Sequence, residues 1–468
     1  MQRRLRLRDL AALGLAGILP VGAPIGVAPL VKYAGESAIW PAVLGYAAVM
    51  LSAVPILEYS RLARFAGGYY GLAELGLGPV AGKYTAVANY LYYVAWETQN
   101  ALQAGWVVYG ITGSLPAWAA AVVGVLLISY VGAFSPPRRY VGGVLAPALA
   151  FTTSITLALD IYVVAVSPYR SWTPLAPMDW GGIATATAVQ GFWMYVGYGT
   201  PLFYSEEAES PARDVWRGVI IALSASAALY ALSAYAVVAA APPDRIGALA
   251  ESAMPYVDAW SSYLPAWLLA AYPLFIAPAA LAYGGPAGSH ARLLWAMARD
   301  GFIESKRLKA LDRGGVPRNA ALFNLAASSA AALATATAAF GRLGVSPASA
   351  EVAWLLTSTA ATILWYAHHI LPEVALYPYL RRSPAKTGRL RAFLVGIAAP
   401  ALGTAIFGYT LYLSDRPRQG PIRPCHLRRG CALGCGAPLY AVAQGRGQAG
   451  LEHDTLLSPG GPEPLNVS

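Results

Sequence analysis

The chain has 468 residues, 57% of them apolar and only 12% charged, about half the roughly 25% charged share of an average soluble domain. With a mean hydropathy of +0.48, this excludes an ordinary soluble protein and extensive disorder alike, and leaves a polytopic membrane protein. The net charge of +10 is no nucleic-acid footprint, because the basic residues before position 414 sit in short loops between long uncharged runs; no nucleic-acid partner is expected.

About 20 apolar residues cross the hydrocarbon, since ~30 Å is divided by 1.5 Å per residue. In chain order, eleven runs meet that length: 10–31, 38–59, 84–111, 116–134, 141–166, 183–204, 216–240, 263–288, 319–340, 351–372 and 392–413. Gly113, Ser114, Leu115 and Pro116 mark a hairpin between the third and fourth. The Arg-rich start is read as leading into the first span, not as a cleavable signal, because no small-residue cleavage site follows at a suitable distance. With the N-terminus inside, cytoplasmic loops hold 23 Lys or Arg and the outer loops hold four, Lys32, Arg170, Arg245 and Arg342. The positive-inside rule therefore sets a cytoplasmic N-terminus in a multi-pass protein of the cell (plasma) membrane, with the lipid bilayer as its solvent.

Two runs break near their middle. The first reads Gly14-Leu-Ala-Gly-Ile-Leu-Pro-Val-Gly-Ala-Pro-Ile-Gly26, and the sixth carries Gly197-Tyr198-Gly199-Thr200-Pro201. An interior Pro costs a helix about 3 kcal/mol and a Gly about 1 relative to Ala, so regular helix is disfavoured at both places. Gly and Pro in single membrane helices also serve close packing and kinks. Breaks five spans apart point instead to an inverted repeat of five helices. The loosened backbone of such helices must line a cavity, where it can bind a polar or ionic solute.

Span six and its exit, Gly191-Phe-Trp-Met-Tyr-Val-Gly-Tyr-Gly-Thr-Pro-Leu-Phe-Tyr-Ser-Glu-Glu-Ala-Glu-Ser-Pro-Ala-Arg-Asp214, resemble the sixth helix and following loop of the amino acid/polyamine/organocation permeases. Ala66-Gly-Gly-Tyr-Tyr-Gly71, with Glu58 before it, resembles that family's Gly-Gly-x-Tyr loop. Ser289-His-Ala-Arg-Leu-Leu-Trp-Ala-Met-Ala-Arg-Asp-Gly-Phe302, with Val316-Pro317 downstream, resembles the signature after its eighth helix, and Gly17-Ile-Leu-Pro-Val-Gly22 its unwound first-helix segment. Pro20 stands where Gly is usual. The resemblance covers residues 10 to about 413 and implies an all-α fold of two inverted five-helix units with broken helices 1 and 6, plus accessory helices. It implies a secondary transporter of amino acids or related amines. The backbone at Leu19, Val21, Gly22, Ala23 and Gly26 would hold the substrate carboxylate, Val196, Gly197, Tyr198 and Gly199 would face the ammonium, and Trp193 would form an aromatic wall or lid. Several relatives that carry cations have an acidic residue where this chain has Gly199, which favours a neutral substrate. Ala277-Pro-Ala-Ala-Leu-Ala-Tyr-Gly284 offers no hydroxyl for the sodium site of more distant relatives.

Glu97 lies near the centre of the third span, where lipid exposure of its charge would cost at least about 2.5 kcal/mol. It is expected to face the interior with Asn100 and Gln103, either as a proton carrier or within a helix-packing cluster. Asp160, near the outer end of span five, is a second proton-coupling candidate that could equally reach interfacial water. His368 and His369, closing span ten at the cytoplasmic side, could serve a pH role but are read in preference as headgroup-level residues. Glu206, Glu207, Glu209, Arg213 and Asp214 stand beside the segment holding Arg292, Arg299 and Asp300. As solvated ion pairs they are worth only ~0 to 1 kcal/mol, and the resemblance alone lifts Glu207 and Arg292 to gate candidates.

No Gly-x4-Gly-Lys loop, nucleophile set or metal set is present in the apolar part, so no catalytic site, metal or cofactor is expected. Residues 1–372 are read as the ten-helix transporter core and 373–413 as a cytoplasmic loop with accessory span 11. Residues 414–468 form an Arg-, Gly-, Pro- and Cys-containing tail holding Cys425, Cys431, Cys435 and His426. The tail has no span, and its spacing fits no common zinc pattern. It is expected to be disordered or the product of a frameshift that replaced a twelfth span. The expected function is transport of a neutral amino acid by alternating access, with a proton as coupling ion. The alternatives are a membrane sensor or integral-membrane enzyme without transport, or an amine exchanger of the same family.

Overall fold

Lipid offers no hydrogen bonds, so each apolar run must satisfy its backbone internally, and helices are what form. A computed structural model describes residues 5–18, 23–62, 67–250, 255–382 and 388–414. Among these residues the backbone is helical between its turns, and the sole extended pairing is a parallel bridge between Leu5 and Ala208. The expected positions of Leu19, Val21 and Gly22, and of the whole tail with its three cysteines, lie outside the described residues.

The helices, in order, are α1 (Leu7–Ile18), α2 (Ala23–Ala34), α3 (Ile39–Leu62), α4 (Tyr69–Leu77), α5 (Pro79–Thr112), α6 (Leu115–Ala133) and α7 (Pro137–Val166). There follow α8 (Trp180–Ala186), α9 (Pro211–Ala239), α10 (Pro243–Ala250), α11 (Pro255–Ser261), α12 (Ala266–Ile276) and α13 (Gly284–Arg299). The last are α14 (Arg318–Leu343), α15 (Pro347–Arg382) and α16 (389–414). Among the described residues six of these stretches are long and apolar enough to cross a membrane: α3, α6, α7, α9, α14 and the first part of α16.

The hairpin after α5 forms as the turn residues require. Gly113 takes a left-handed φ of 63° and returns its N–H to Tyr109, and the Ser114 hydroxyl accepts from the Ala117 N–H to start α6.

The sixth run does not form one helix. Asp179 caps α8 by accepting from the Gly182 N–H, a π-helical turn covers Thr187–Gly191, and a 3-10 turn covers Trp193–Tyr195. Val196 is then extended (ψ 139°) and Gly197 sits at φ +99°, before 3-10 backbone resumes over Thr200–Glu207. This break faces α1. A Cβ on Gly17 would overlap the Gly197 carbonyl and the Thr200 hydroxyl, and a Cβ on Gly197 would overlap the Gly17 carbonyl. Two backbones therefore touch where side chains would hold them apart.

Two crossings run further than an uncharged-run count allows. The eighth is α12, a 3-10 stretch Ala277–Tyr283 and α13, and the Ser289–Phe302 signature is mostly the buried helix α13, not a loop after the helix. The count stopped at His290 and Arg292, yet both are buried with partners. Likewise α15 continues through Pro372 and Glu373 to Arg382. His368 and His369 are consequently 1% and 2% exposed, which overturns their reading as headgroup-level residues.

Gly197→Ala should lower stability by about 1–3 kcal/mol, because overpacking and a positive φ combine there. Thermal unfolding of the detergent-solubilised chain checks this against Gly143→Ala, which has open space around its Cβ position. Equal midpoints for the two variants would contradict the close approach.

Candidate functional site

The break in the sixth crossing is supported from one side by the Gly-Gly-Tyr motif. Gly68 sits at φ +58° and starts α4, which carries Tyr69 inward; the Tyr69 hydroxyl lies where a Cβ on Gly199 would be. Around Tyr69 stand Phe203 at 5.9 Å, His368 at 5.0 Å and His369 at 4.5 Å between ring centroids. Any side chain at position 199 would thus displace a buried aromatic, which is why the chain keeps Gly there.

Of the residues expected to hold substrate, Ala23 opens α2 and Gly26 is buried beside Met194 and Gln190 of the sixth crossing. Val196 and Tyr198 are buried, and Tyr198 meets the His369 ring at 6.0 Å. Trp193 is half-buried and packs edge-on against Trp365 and Tyr366 of α15, forming one side of an aromatic wall. The structure thereby brings α1, α2 and α15 together around the broken sixth crossing.

Glu97 on α5 is 3% exposed and enclosed by three other helices. Its Oε2 accepts from Tyr130 of α6 at 2.5 Å and from Ser328 of α14 at 2.6 Å, and its Oε1 lies 3.1 Å from His290 Nδ1 on α13. Tyr93 stacks on the imidazole at 5.4 Å and Tyr90 packs at 4.8 Å. Asn100, expected to share the carboxyl, instead donates to the Trp96 carbonyl, as i to i−4 geometry favours. The sequence missed His290 as a partner because the pairing spans 193 positions. A carboxyl and an imidazole in contact can hold one shared proton on either group, and the pair stays neutral overall whichever group carries it.

Asp160 on α7 is fully buried, with Ser233 of α9 donating at 2.6 Å and Tyr256 of α11 at 2.7 Å, one to each oxygen. It ties three helices together through hydroxyl groups. Glu373 of α15 is a buried carboxyl that the sequence reading did not single out; it accepts from Ser52 of α3 and lines a small cavity with His369, Trp365, Tyr366 and Thr404. Its only sequence signal was an acid just past an apolar run.

The other side of α13 carries a buried ion pair. Arg292 Nε donates to Glu207 Oε1 at 2.6 Å, its Nη1 donates to the Gly288 carbonyl at 3.0 Å, and its guanidinium lies 3.9 Å over the Tyr204 ring. Both side chains of the pair are almost completely buried. The preceding segment straps across them: Leu5 N–H donates to the Glu207 carbonyl at 3.0 Å and Glu209 N–H returns to Leu5 at 2.8 Å. Arg299 pairs with Glu206 and Asp300, and the Tyr70 hydroxyl donates to Asp300 at 2.7 Å. These residues mark one charged face.

The amino acid permease family matches residues 6–420 of this chain. An uncharacterized transporter of Mycobacterium bovis is 26% identical over 432 residues, covering 90% of this chain and 94% of that one. An uncharacterized transporter of Mycobacterium tuberculosis has the same identity and coverage. The branched-chain amino acid permease BcaP of Bacillus subtilis is 32% identical over 76 residues, 16% of each chain.

Removing one partner of a buried ion pair costs about 3–5 kcal/mol, because the other charge is stranded. Glu207→Gln should therefore open this face. In a background carrying Cys425→Ser, Cys431→Ser and Cys435→Ser, a Ser289→Cys reporter should then label with a thiol reagent at least about fivefold faster, the change that about 1 kcal/mol gives. An unchanged labelling rate would show that the pair does not hold this face closed.

Proposed function

The chain belongs to the amino acid permease family and is a transporter, not an enzyme, and we propose that it moves a neutral amino acid by alternating access coupled to a proton. The observation that carries this reading is the meeting of α1 with the broken sixth crossing at Gly17 and Gly197. Backbone groups released from helical bonding must find partners away from lipid, and a zwitterion supplies both signs of charge. The carboxylate would lie on the amino end of α2, at Leu19, Val21, Gly22, Ala23 and Gly26, where N–H groups and the helix dipole favour an anion. The ammonium would meet carbonyls at Val196, Gly197, Tyr198 and Gly199, with Trp193 closing over the side chain. Gly199 beneath Tyr69 leaves no acid to prefer a cationic side chain.

The fold we infer for this cycle is the pair of inverted five-helix units, with α16 accessory to them and the charged face toward the cytoplasm of the cell membrane. The buried Glu207–Arg292 pair is then the inner gate, closed in this conformation. Glu97 is the coupling carboxyl: its neighbour is an imidazole that can exchange the proton, whereas Asp160 meets only hydroxyls. Branched-chain substrates head the panel to be tested, since BcaP is named for them.

Uptake of labelled neutral amino acids into proteoliposomes, with and without an imposed pH gradient, tests the reading. The parent should accumulate at least one, Gly22→Leu should abolish uptake, and Glu97→Gln should lose about tenfold in pH-driven accumulation while keeping exchange. Full activity in Gly22→Leu would overturn the carboxylate site, and unchanged accumulation in Glu97→Gln would return Glu97 to a packing role.

A further inference from the structure

Counting back from Glu97 along α5 in steps of four gives Tyr93, Asn89 and Thr85, all buried. Residues four apart share one helix face, about 6 Å from each other along the axis, so this ridge extends about 18 Å from the carboxyl. Half the hydrocarbon thickness is about 15 Å. The ridge is thus long enough to run from mid-membrane to one surface; it ends at Thr85, and Lys83, two residues earlier on another face of α5, is exposed with its ammonium 5.8 Å over Phe302 on the charged face. On α14 the residue four before Ser328 is Asn324, also fully buried. Thr98 donates to the Ser328 carbonyl at 3.2 Å, which holds the two ridges side by side.

Seven buried side-chain atoms on these residues have no hydrogen-bond partner among the described residues: Thr85 Oγ1, both amide atoms of Asn89 and of Asn324, the Tyr90 hydroxyl and His290 Nε2. Buried polar atoms rarely go unmatched, and each left so costs about 1–3 kcal/mol. Two hydrogen bonds of about 2.8 Å, end to end through a water, span close to one 6 Å step of the ridge.

In the other direction the character reverses. Ala101, four residues beyond Glu97, and Ala332 and Ala336, four and eight beyond Ser328, belong to an apolar cluster with Leu102, Leu126 and Trp354. The next two steps on each ridge, Ala101 and Gly105 on α5 and Ala332 and Ala336 on α14, carry no polar side chain.

We propose that Glu97 exchanges its proton with the charged face alone in this conformation, along a file of waters held by Thr85, Asn89, Tyr90, Asn324 and His290. This rests on Glu97 being the coupling carboxyl. Each hop makes one O–H bond as the next breaks, and the last proton leaves as hydronium or arrives from it, so no other reactant is required. The groups facing Glu97 are Tyr130 from α6, His290 from α13, Ser328 from α14, and Tyr90 and Tyr93 from its own helix. Arg292 follows His290 by two residues, turns to the other side of α13 and spends its charge on Glu207, so no fixed cation stands among the file residues. A route open on one side only is what a coupled transporter needs if the proton is not to leak across.

Infrared difference spectroscopy of the full chain in nanodiscs, after a jump from alkaline to acid pH, reads the proton directly. A protonated-carboxyl band that vanishes in Glu97→Gln identifies the group. Its rise should slow by about tenfold in Asn89→Leu and in Asn324→Leu. It should keep the parent rate in Asn89→Ser and Asn324→Ser, which keep a polar atom, and in Asn100→Leu on the far side of Glu97. Parent-like rates in both leucine variants would overturn the file while leaving Glu97 as the carrier. Equal slowing in Asn100→Leu would overturn it too. If Glu97→Gln removes no band, the coupling assignment fails and the file with it.

Discussion

A peptide group in hydrocarbon must be hydrogen-bonded, and every notable feature of this structure follows from where that demand is met unusually. Along most of the chain, helices meet it locally. At the sixth crossing they do not, because Val196 is extended and Gly197 has a left-handed φ. The loosened backbone is kept from lipid by Gly17 on one side and Tyr69 beneath it. The absence of side chains at 17, 197 and 199 is therefore as structural as any contact, since each Cβ would push apart two surfaces that have to touch.

Charge obeys the same logic. Among the described residues, the buried carboxyls Glu97, Asp160, Glu207 and Glu373 each have a donor or cation from another element, whereas Asp9 and Asp214 are held by Arg6 N–H and Arg213 within their own segments. Their surroundings differ in kind, and the difference suits different work. Glu207 faces a guanidinium that keeps its charge at any physiological pH, so that pair can act as a latch that breaks only by motion. Glu97 faces an imidazole, which can bind or give up a proton where a guanidinium cannot, so that pair can act through a proton. Asp160 is held by hydroxyls alone and joins α7, α9 and α11.

Much of this was legible in the residues. The hairpin at Gly113, the break at Gly197 and the pairing of Glu207 with Arg292 were each readable from Gly and Pro placement or from a motif. What escaped depends on contacts distant in sequence. Counting uncharged runs ended the eighth crossing before His290 and Arg292, and the tenth before Glu373, because the count cannot know that Glu97, Glu207 and Ser52 wait to receive them. The same blindness placed His368 and His369 at the headgroups, when the helix continues past them. Asn100 was assigned to Glu97 by spacing, but a side chain one turn away reaches its own helix carbonyl more easily than a neighbour's carboxyl.

Alternating access would need one closure to open while another forms, and the buried Arg292–Glu207 pair sits directly against the broken crossing: Tyr204 bridges the Arg292 guanidinium and the Gly285 carbonyl. A solute that pulls on the Val196–Gly199 backbone would be mechanically connected to that ion pair through the 3-10 turn Thr200–Glu207. The direct measurement is a structure of the chain in nanodiscs at saturating concentration of a transported amino acid. Density bridging the amino end of α2 and the Val196–Gly199 backbone is the predicted result. A solute bound elsewhere, with nothing between those two breaks, would contradict the account.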